Sequence, residues 1–273
     1  MSTTEGRLGI IAGGGALPLL LAQVAPDALM LAAEGTACGL PEAALTRFRF
    51  EKMGGLFETL RAGGVTRVVM AGAIDRPKFD ISQADPVFME LAPQLMAVMQ
   101  AGGDDALLRF VITVFEEQGF AVVGAHDLLP QLTAPVGLVG GPEPSMAMLR
   151  DAERGRAILS ALSALDVGQG CVVEQGSCLG IETAQGTDAL LGYVKATPAG
   201  LRRGEGVFCK FPKVGQDLRV DMPAIGPGTL RAAADAGLSC VAIAARKVLL
   251  LEADTLPALA QELGLSLIAQ DAG

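Results

Sequence analysis

The chain has 273 residues, enough for two domains that each bury a core. It is 51% hydrophobic and has no tryptophan, yet no apolar run reaches the length of a membrane span, and its first residues lack the basic-then-apolar layout of a signal peptide. A net charge of −9 without any basic or aromatic-rich stretch opposes nucleic-acid binding, and Cys38, Cys171, Cys178, Cys209 and Cys240, which share no metal-ligand spacing, fit reduced thiols of a cytoplasmic protein.

Residues 8–12 read as a short apolar strand, followed at once by Gly13-Gly14-Gly15 and by a helix over 16–24 with Pro18 in its first turn. Strand, glycine loop and helix open a βαβ unit of the nucleotide-binding kind. A second strand over 28–33 ends at Glu34, about 20 residues past the loop, where an acid accepts from a ribose hydroxyl in dinucleotide-binding folds. The full fingerprint would need a glycine where Pro18 stands, so the loop suits either phosphate contact or a tight turn set by packing. Strand 46–51, helix 55–62 and strand 67–71 continue the alternation. Gly72-Ala73-Ile74-Asp75-Arg76-Pro77 then follows a strand end, where open parallel sheets bind ligands. Arg76 there suits a phosphate or an ordinary surface position. Helices over 86–100 and 105–117 flank Gly102-Gly103-Asp104-Asp105, whose aspartates read first as caps. Strand 121–125 ends at His126, which has no metal partner in view and receives no catalytic role.

A stretch rich in proline and glycine follows, so the expected domains are 1–132 and 146–273, joined by a linker over 133–145. A long helix begins at Ser145, with Ile158, Ala161, Leu162 and Leu165 on one face. Strands are expected at 170–174, 180–183, 191–196 and 206–211. Gly186-Thr187-Asp188 opens a short helix with Thr187 as its cap, and Glu182 before it is a rim charge or a ligand. Lys210 and Lys213 precede a strictly alternating strand over 217–222, with Asp217, Arg219 and Asp221 on one face and Leu218, Val220 and Met222 on the other. Gly226-Pro227-Gly228-Thr229 then starts a helix whose unpaired N–H groups favour an anion. Acid, base and anion site fall within one short stretch, which reads as phosphate chemistry. Strands 240–244 and 248–252, helix 255–263 and strand 265–268 close an α/β fold: an N-terminal Rossmann-like parallel-sheet domain and a C-terminal α/β domain.

Five motifs occur in one order: residues 10–18 (IIAGGGALP), 72–77 (GAIDRP), 103–109 (GDDALLR), 181–188 (IETAQGTD) and 216–227 (QDLRVDMPAIGP). Together they resemble the I-type UDP-2,3-diacylglucosamine pyrophosphatases of lipid A biosynthesis, and the likeness covers nearly the whole chain. Ala224, where threonine is common, and Gly228, where a larger residue is common, are departures that leave the charged positions intact. The resemblance implies a substrate held in a cleft between two domains. It implies Mg²⁺-aided hydrolysis of UDP-2,3-diacylglucosamine to UMP and 2,3-diacylglucosamine 1-phosphate (lipid X), with water attacking the phosphate on the sugar side. Substrate contacts are then expected at Gly13, Gly14, Gly15, Leu17, Pro18, Gly72, Ala73, Arg76, Asp104, Thr187, Gly226, Gly228 and Thr229, with Asp221 and Glu182 on the metal. A strand would hold Asp217 and Asp221 about 13 Å apart at roughly 3.3 Å per residue, too far to share a Mg²⁺ bound at about 2.1 Å. Asp221, nearer the helix start, is therefore the expected central residue, with Arg219 and Lys210 or Lys213 neutralising phosphate charge and Asp217 holding Arg219. The implied location is cytoplasmic, with transient contact at the inner-membrane surface, and a homodimer is admitted. Two rival readings are a nicotinamide-dependent oxidoreductase, which rests on the glycine loop and Glu34, and a non-catalytic nucleotide-lipid carrier.

Overall fold

The computed structural model describes residues 6–74, 79–101 and 104–272, so Asp75 and Arg76 lie outside the described residues. The chain forms two compact units, one of Met1–Pro130 with Arg219–Asp221, the other of Gln131–Leu218 with Met222–Gly273.

The first unit runs β1 (Arg7–Ala12), α1 (Leu17–Val24), β2 (Leu29–Ala33), β3 (Thr46–Phe48), α2 (Met53–Ala62), β4 (Val65–Ala71), α3 (Pro86–Ala101), α4 (Asp104–Glu117), β5 (Ala121–Val122) and α5 (Ala125–Leu128). Its strands are all parallel, in the order β3-β2-β1-β4-β5. A parallel sheet covered on both faces demands unbroken apolar strands, and Leu8, Ile10, Ile11 and Ala12 of β1 are accordingly all buried. Phe57 of α2 meets Phe115 of α4 edge-on at 5.4 Å and stacks on Phe120 at 6.1 Å, which locks those helices over the sheet. The expected strand over 121–125 is only two residues long. Gly124 starts α5 instead, and Asp127 accepts its N–H at 2.9 Å.

The strand order reverses between β1 and β4, the switch point at which this fold class opens a crevice. Here the loops after the two strands are stitched together. Gly13 N–H donates to Ala71 O at 2.7 Å, Gly14 N–H to Ala73 O at 2.7 Å, and Ala73 N–H returns to Gly14 O at 3.0 Å. Glycine is required on both sides of the seam. A Cβ on Gly13 would stand 2.4 Å from Ala73 O, and one on Gly72, whose φ is +89°, would stand 2.3 Å from Gly14 O.

The second unit runs β6 (Gly137–Gly140), α6 (Met146–Leu162), β7 (Gly170–Glu174), β8 (Ser177–Ile181), α7 (Gly186–Lys195), β9 (Gly206–Lys210), β10 (Ala224–Ile225), α8 (Pro227–Asp235), β11 (Leu238–Ala244), β12 (Leu249–Leu250), α9 (Leu256–Leu263) and β13 (Ser266–Gln270). The main sheet has the order β6-β13-β11-β9-β7-β8, with β9, β11 and β13 parallel and β6 and β7 antiparallel to their neighbours; β10 and β12 form a small parallel pair. Residues 133–145, read as a linker, contain β6, which pairs with β13. Ser145 caps α6 by accepting the Met148 N–H at 3.2 Å. Gly155 lets α6 approach the sheet, since a Cβ there would stand 2.3 Å from the Cys209 sulfur. Cys171, Cys209 and Cys240 are buried, and burial pushes the Cys240 thiol up to about 12.

Two expected strands are absent. Residues 191–196 lie in and just after α7, because Leu190, Leu191 and Val194 recur at helical spacing and all turn inward. Residues 217–222 form a turn flanked by irregular backbone, without strand pairing. Val220 packs against the apolar cluster of the first unit that contains Phe57 and Phe115, and Arg219 Nη1 donates to Glu116 Oε1 at 2.6 Å. Packing of single side chains, not sheet pairing, produced the alternation, so the separation derived from an extended strand does not apply.

The stitched loops give the first prediction. Gly13→Ala should destabilise the protein by about 2 kcal/mol through forced displacement of the facing backbone. Gly15→Ala, which meets no atom within 4 Å but must adopt φ +97°, should cost nearer to about 1 kcal/mol. Urea unfolding of both variants checks this, and equal costs would mean that the seam does not require glycine at residue 13.

Candidate active site

The C-terminal ends of β9, β11 and β13 lie along one edge of the second unit's sheet, where Ile243 is opposite Lys210 and Ala244 opposite Gln270. Lys210 ends β9, and its neighbour across β7 is Gly170. The chain after β8 carries Glu182 to the far side of that glycine, where Glu182 N–H donates to Gly170 O at 2.7 Å. A Cβ on Gly170 would come within 2.8 Å of Glu182 Oε2, so the missing side chain opens a passage over β7. Through it Lys210 Nζ donates to both Glu182 oxygens at 2.8 Å and to Thr187 Oγ1 at 2.9 Å. Thr187 also approaches Glu182 Oε1 at 2.6 Å, and Gln169 N–H donates to Oε2 at 3.2 Å. Lys210 and Glu182 are both buried. The expected phosphate-binding lysine and the expected metal ligand are therefore each other's partner, and Thr187 binds them in place of capping α7 with its side chain.

Lys213 is likewise engaged. Its ammonium pairs with Asp166, a residue in the left-handed conformation after α6, and Val214 N–H donates to Ser163 Oγ at 3.1 Å. These contacts fasten the loop after β9. Beyond that loop, Gly226 is the N-cap of α8, with Pro227 in its first turn, and its N–H donates to Thr229 Oγ1 at 3.4 Å. A Cβ on Gly228 would meet nothing within 4 Å, so that helix start is open. A groove of about 230 Å³ lies between the end of β8 and α7, lined by Ile181, Thr183, Gln185, Ala189, Leu190 and Tyr193. It contains no cation and suits an apolar or amide-bearing group better than a phosphate.

In the first unit, Gly13, Gly14, Gly72 and Ala73 form the stitched seam, and Leu17 and Pro18 open α1. Two of the three glycine N–H groups expected to cradle a phosphate are bonded to carbonyls. Glu34, the expected ribose partner, stands 3.9 Å from Arg49 Nε, which also pairs with buried Glu51 at 3.6 Å. Asp104 begins α4, but its side chain lies outside the described residues. Arg219, expected on phosphate, bonds to Glu116 and reaches Val122 O at 3.4 Å. Asp221 ends the segment that belongs to this unit, and the residues after it lead through Pro223 into α8.

Besides Glu51, two buried carboxylates of the second unit went unrecognised in the sequence. Asp151 on α6 accepts the Gln175 and Gly176 N–H groups at 2.7 and 2.8 Å, which fixes the β7–β8 turn. Glu174, fully buried, accepts Arg202 Nε at 2.8 Å and Gly204 N–H at 2.9 Å. Among the described residues no three His, Cys, Asp or Glu side chains gather as a metal cluster. Mg²⁺ does not need such a cluster, because it commonly takes one or two carboxylates and completes its shell with substrate phosphates and water. No described helix is long and apolar enough to cross a membrane.

The family model described as the LpxI N-terminal domain matches residues 7–132, and that of the LpxI C-terminal domain matches residues 135–268. The chain is also 35% identical over 274 residues to the UDP-2,3-diacylglucosamine pyrophosphatase LpxI of Caulobacter vibrioides, with 97% of this chain and 98% of that protein covered.

A buried charge left without its partner is expensive. Glu182→Gln should therefore destabilise the protein by about 3 kcal/mol, and replacing both residues by apolar ones (Glu182→Leu with Lys210→Met) should restore much of the loss. Lys213→Ala, which breaks a more accessible pair, should cost no more than about 1 kcal/mol. Chemical denaturation of the three proteins tests the ranking, and a Glu182→Gln cost as small as that of Lys213→Ala would contradict it.

Proposed function

The chain belongs to the LpxI family, and on that premise we propose that it hydrolyses the pyrophosphate of UDP-2,3-diacylglucosamine to UMP and 2,3-diacylglucosamine 1-phosphate. The observation that carries this reading is the end-to-end match to a pyrophosphatase of that name, covering both units at 35% identity. Phosphoryl transfer to water needs little covalent chemistry from a protein. It needs a positioned nucleophile and charge to meet the phosphate oxygens.

Asp221 is proposed as the residue that orients the attacking water or holds Mg²⁺. It lies two residues before Pro223, on the segment that runs into the open helix start at Gly226, where unpaired N–H groups attract a phosphate. Mg²⁺, when bound, would supply neutralisation of charge on the phosphate oxygens. Glu182 fits the metal less well, since an ammonium sits 2.8 Å from each of its oxygens. Its proposed role, with Thr187, is to hold Lys210 at the end of β9. A diacylated substrate resides in a bilayer, so transient contact of the protein with the membrane surface on the cytoplasmic side is part of the proposal.

Conversion of UDP-2,3-diacylglucosamine to UMP, followed with and without EDTA, tests the reading. Asp221→Asn should lower kcat at least about 100-fold, the scale of losing a group that acts on the reacting phosphate, while the protein still folds and binds substrate. Asp217→Asn should cost less. Wild-type turnover unaffected by EDTA would remove the metal, and near-normal turnover by Asp221→Asn would remove the residue assignment.

A further inference from the structure

We propose that Arg246 is a phosphate-binding residue of this enzyme, its guanidinium donating to the pyrophosphate of the substrate; the inference rests on the hydrolase reading above. β11 lies between β9 and β13, and Arg246 stands two residues beyond its C-terminal end. Open α/β sheets take their ligands at that edge.

Arg246 has φ +57°, a left-handed conformation that glycine adopts far more readily than arginine. The turn cannot relax, because each of its backbone N–H groups is bonded: Ala245 to Gln270 O at 2.8 Å, Arg246 to Ala134 O at 2.9 Å, and Lys247 to Ala244 O at 3.2 Å. Other left-handed residues in this unit have side chains with work to do inside the fold. Asp166 holds Lys213, and Gln175 Nε2 donates to Arg203 O at 2.6 Å. Glu252, also left-handed, opens the turn before α9 and carries the wrong charge for an anion. The Arg246 side chain is exposed, and its guanidinium makes no hydrogen bond or ion pair among the described residues. Backbone strain kept for a side chain with no internal contact is characteristic of ligand sites.

The surroundings indicate which ligand. Leu249 N–H, three residues on, donates to Pro223 O at 2.8 Å, and β12 pairs with β10, which runs into the Gly226 helix start. The arginine turn lies at the Pro223 end of this small parallel pair, and the anion-favouring helix start lies at its other end. Lys210, Lys213 and Arg219 each have a carboxylate partner in Glu182, Asp166 and Glu116. Arg246 offers a planar fork of donors of the kind that grips a phosphate through two oxygens.

The test measures UMP release from UDP-2,3-diacylglucosamine by wild type, Arg246→Gly and Arg246→Lys, together with the Tm of each. Arg246→Gly should lose about 10- to 100-fold in kcat/KM, the scale of one charge-assisted hydrogen bond, while its Tm equals or exceeds that of wild type. Arg246→Lys should recover part of the loss. A glycine variant within about threefold of wild type, a loss accompanied by a lower Tm, or a lysine variant no better than glycine overturns the inference and leaves the hydrolase reading intact. A wild-type protein that releases no UMP overturns both.

Discussion

A lysine and a glutamate buried together impose the central constraint on the second unit. Neither Lys210 nor Glu182 tolerates burial as a lone charge, so the fold must deliver both to one point and satisfy what remains of their hydrogen-bonding capacity. That requirement reaches well beyond the pair. It demands glycine at residue 170 so the carboxylate can pass over β7, a threonine at the start of α7, and the Gln169 backbone as a further donor. Two strand ends, a strand start and a helix start become one rigid corner of the sheet. Such a corner is a sound place from which to hang the loop that carries Asp217 and Asp221.

The first unit solves a different problem at the corresponding place. A switch point in a parallel sheet normally leaves a crevice, and a run of three glycines beside it invites the reading of a phosphate cradle. Close packing took most of that freedom, since the seam between Gly13-Gly14 and Gly72-Ala73 brings two backbones nearer than any side chain would permit. Glycine's lack of a Cβ serves approach of backbone to backbone as well as approach of backbone to ligand, and sequence cannot separate the two.

The buried parallel strands were legible because burial on both faces leaves an uninterrupted apolar signature, as at residues 8–12 and 240–244. Helix starts with chemical punctuation were legible too: Ser145 and Gly226-Pro227 stand where their residue types indicate. The errors fell where a local pattern had more than one physical cause. Leu190, Leu191 and Val194 make a short apolar run that suits strand or helix until the neighbouring layer is known. Residues 217–222 alternate because Val220 enters an apolar cluster while Arg219 turns to Glu116, an outcome fixed by residues about a hundred positions away. The charged groups of the site were visible as types, but their partners were not. Lys213 finds Asp166 and Glu174 finds Arg202 across long stretches of chain, and no spacing rule encodes such encounters.

The membership of Arg219–Asp221 in the first unit has a consequence for how the protein is made. During synthesis the ribosome releases the whole parallel sheet of that unit, through β5 and α5, long before Val220 exists. The nascent sheet must wait with part of its Phe57–Phe115 cluster uncovered and with Glu116 lacking Arg219. Vectorial folding, in which an N-terminal domain settles as it emerges, is therefore left unfinished here until most of the second unit has been translated. The chain's last third completes its first, which makes the two units sequential in the gene and interdependent in the cell.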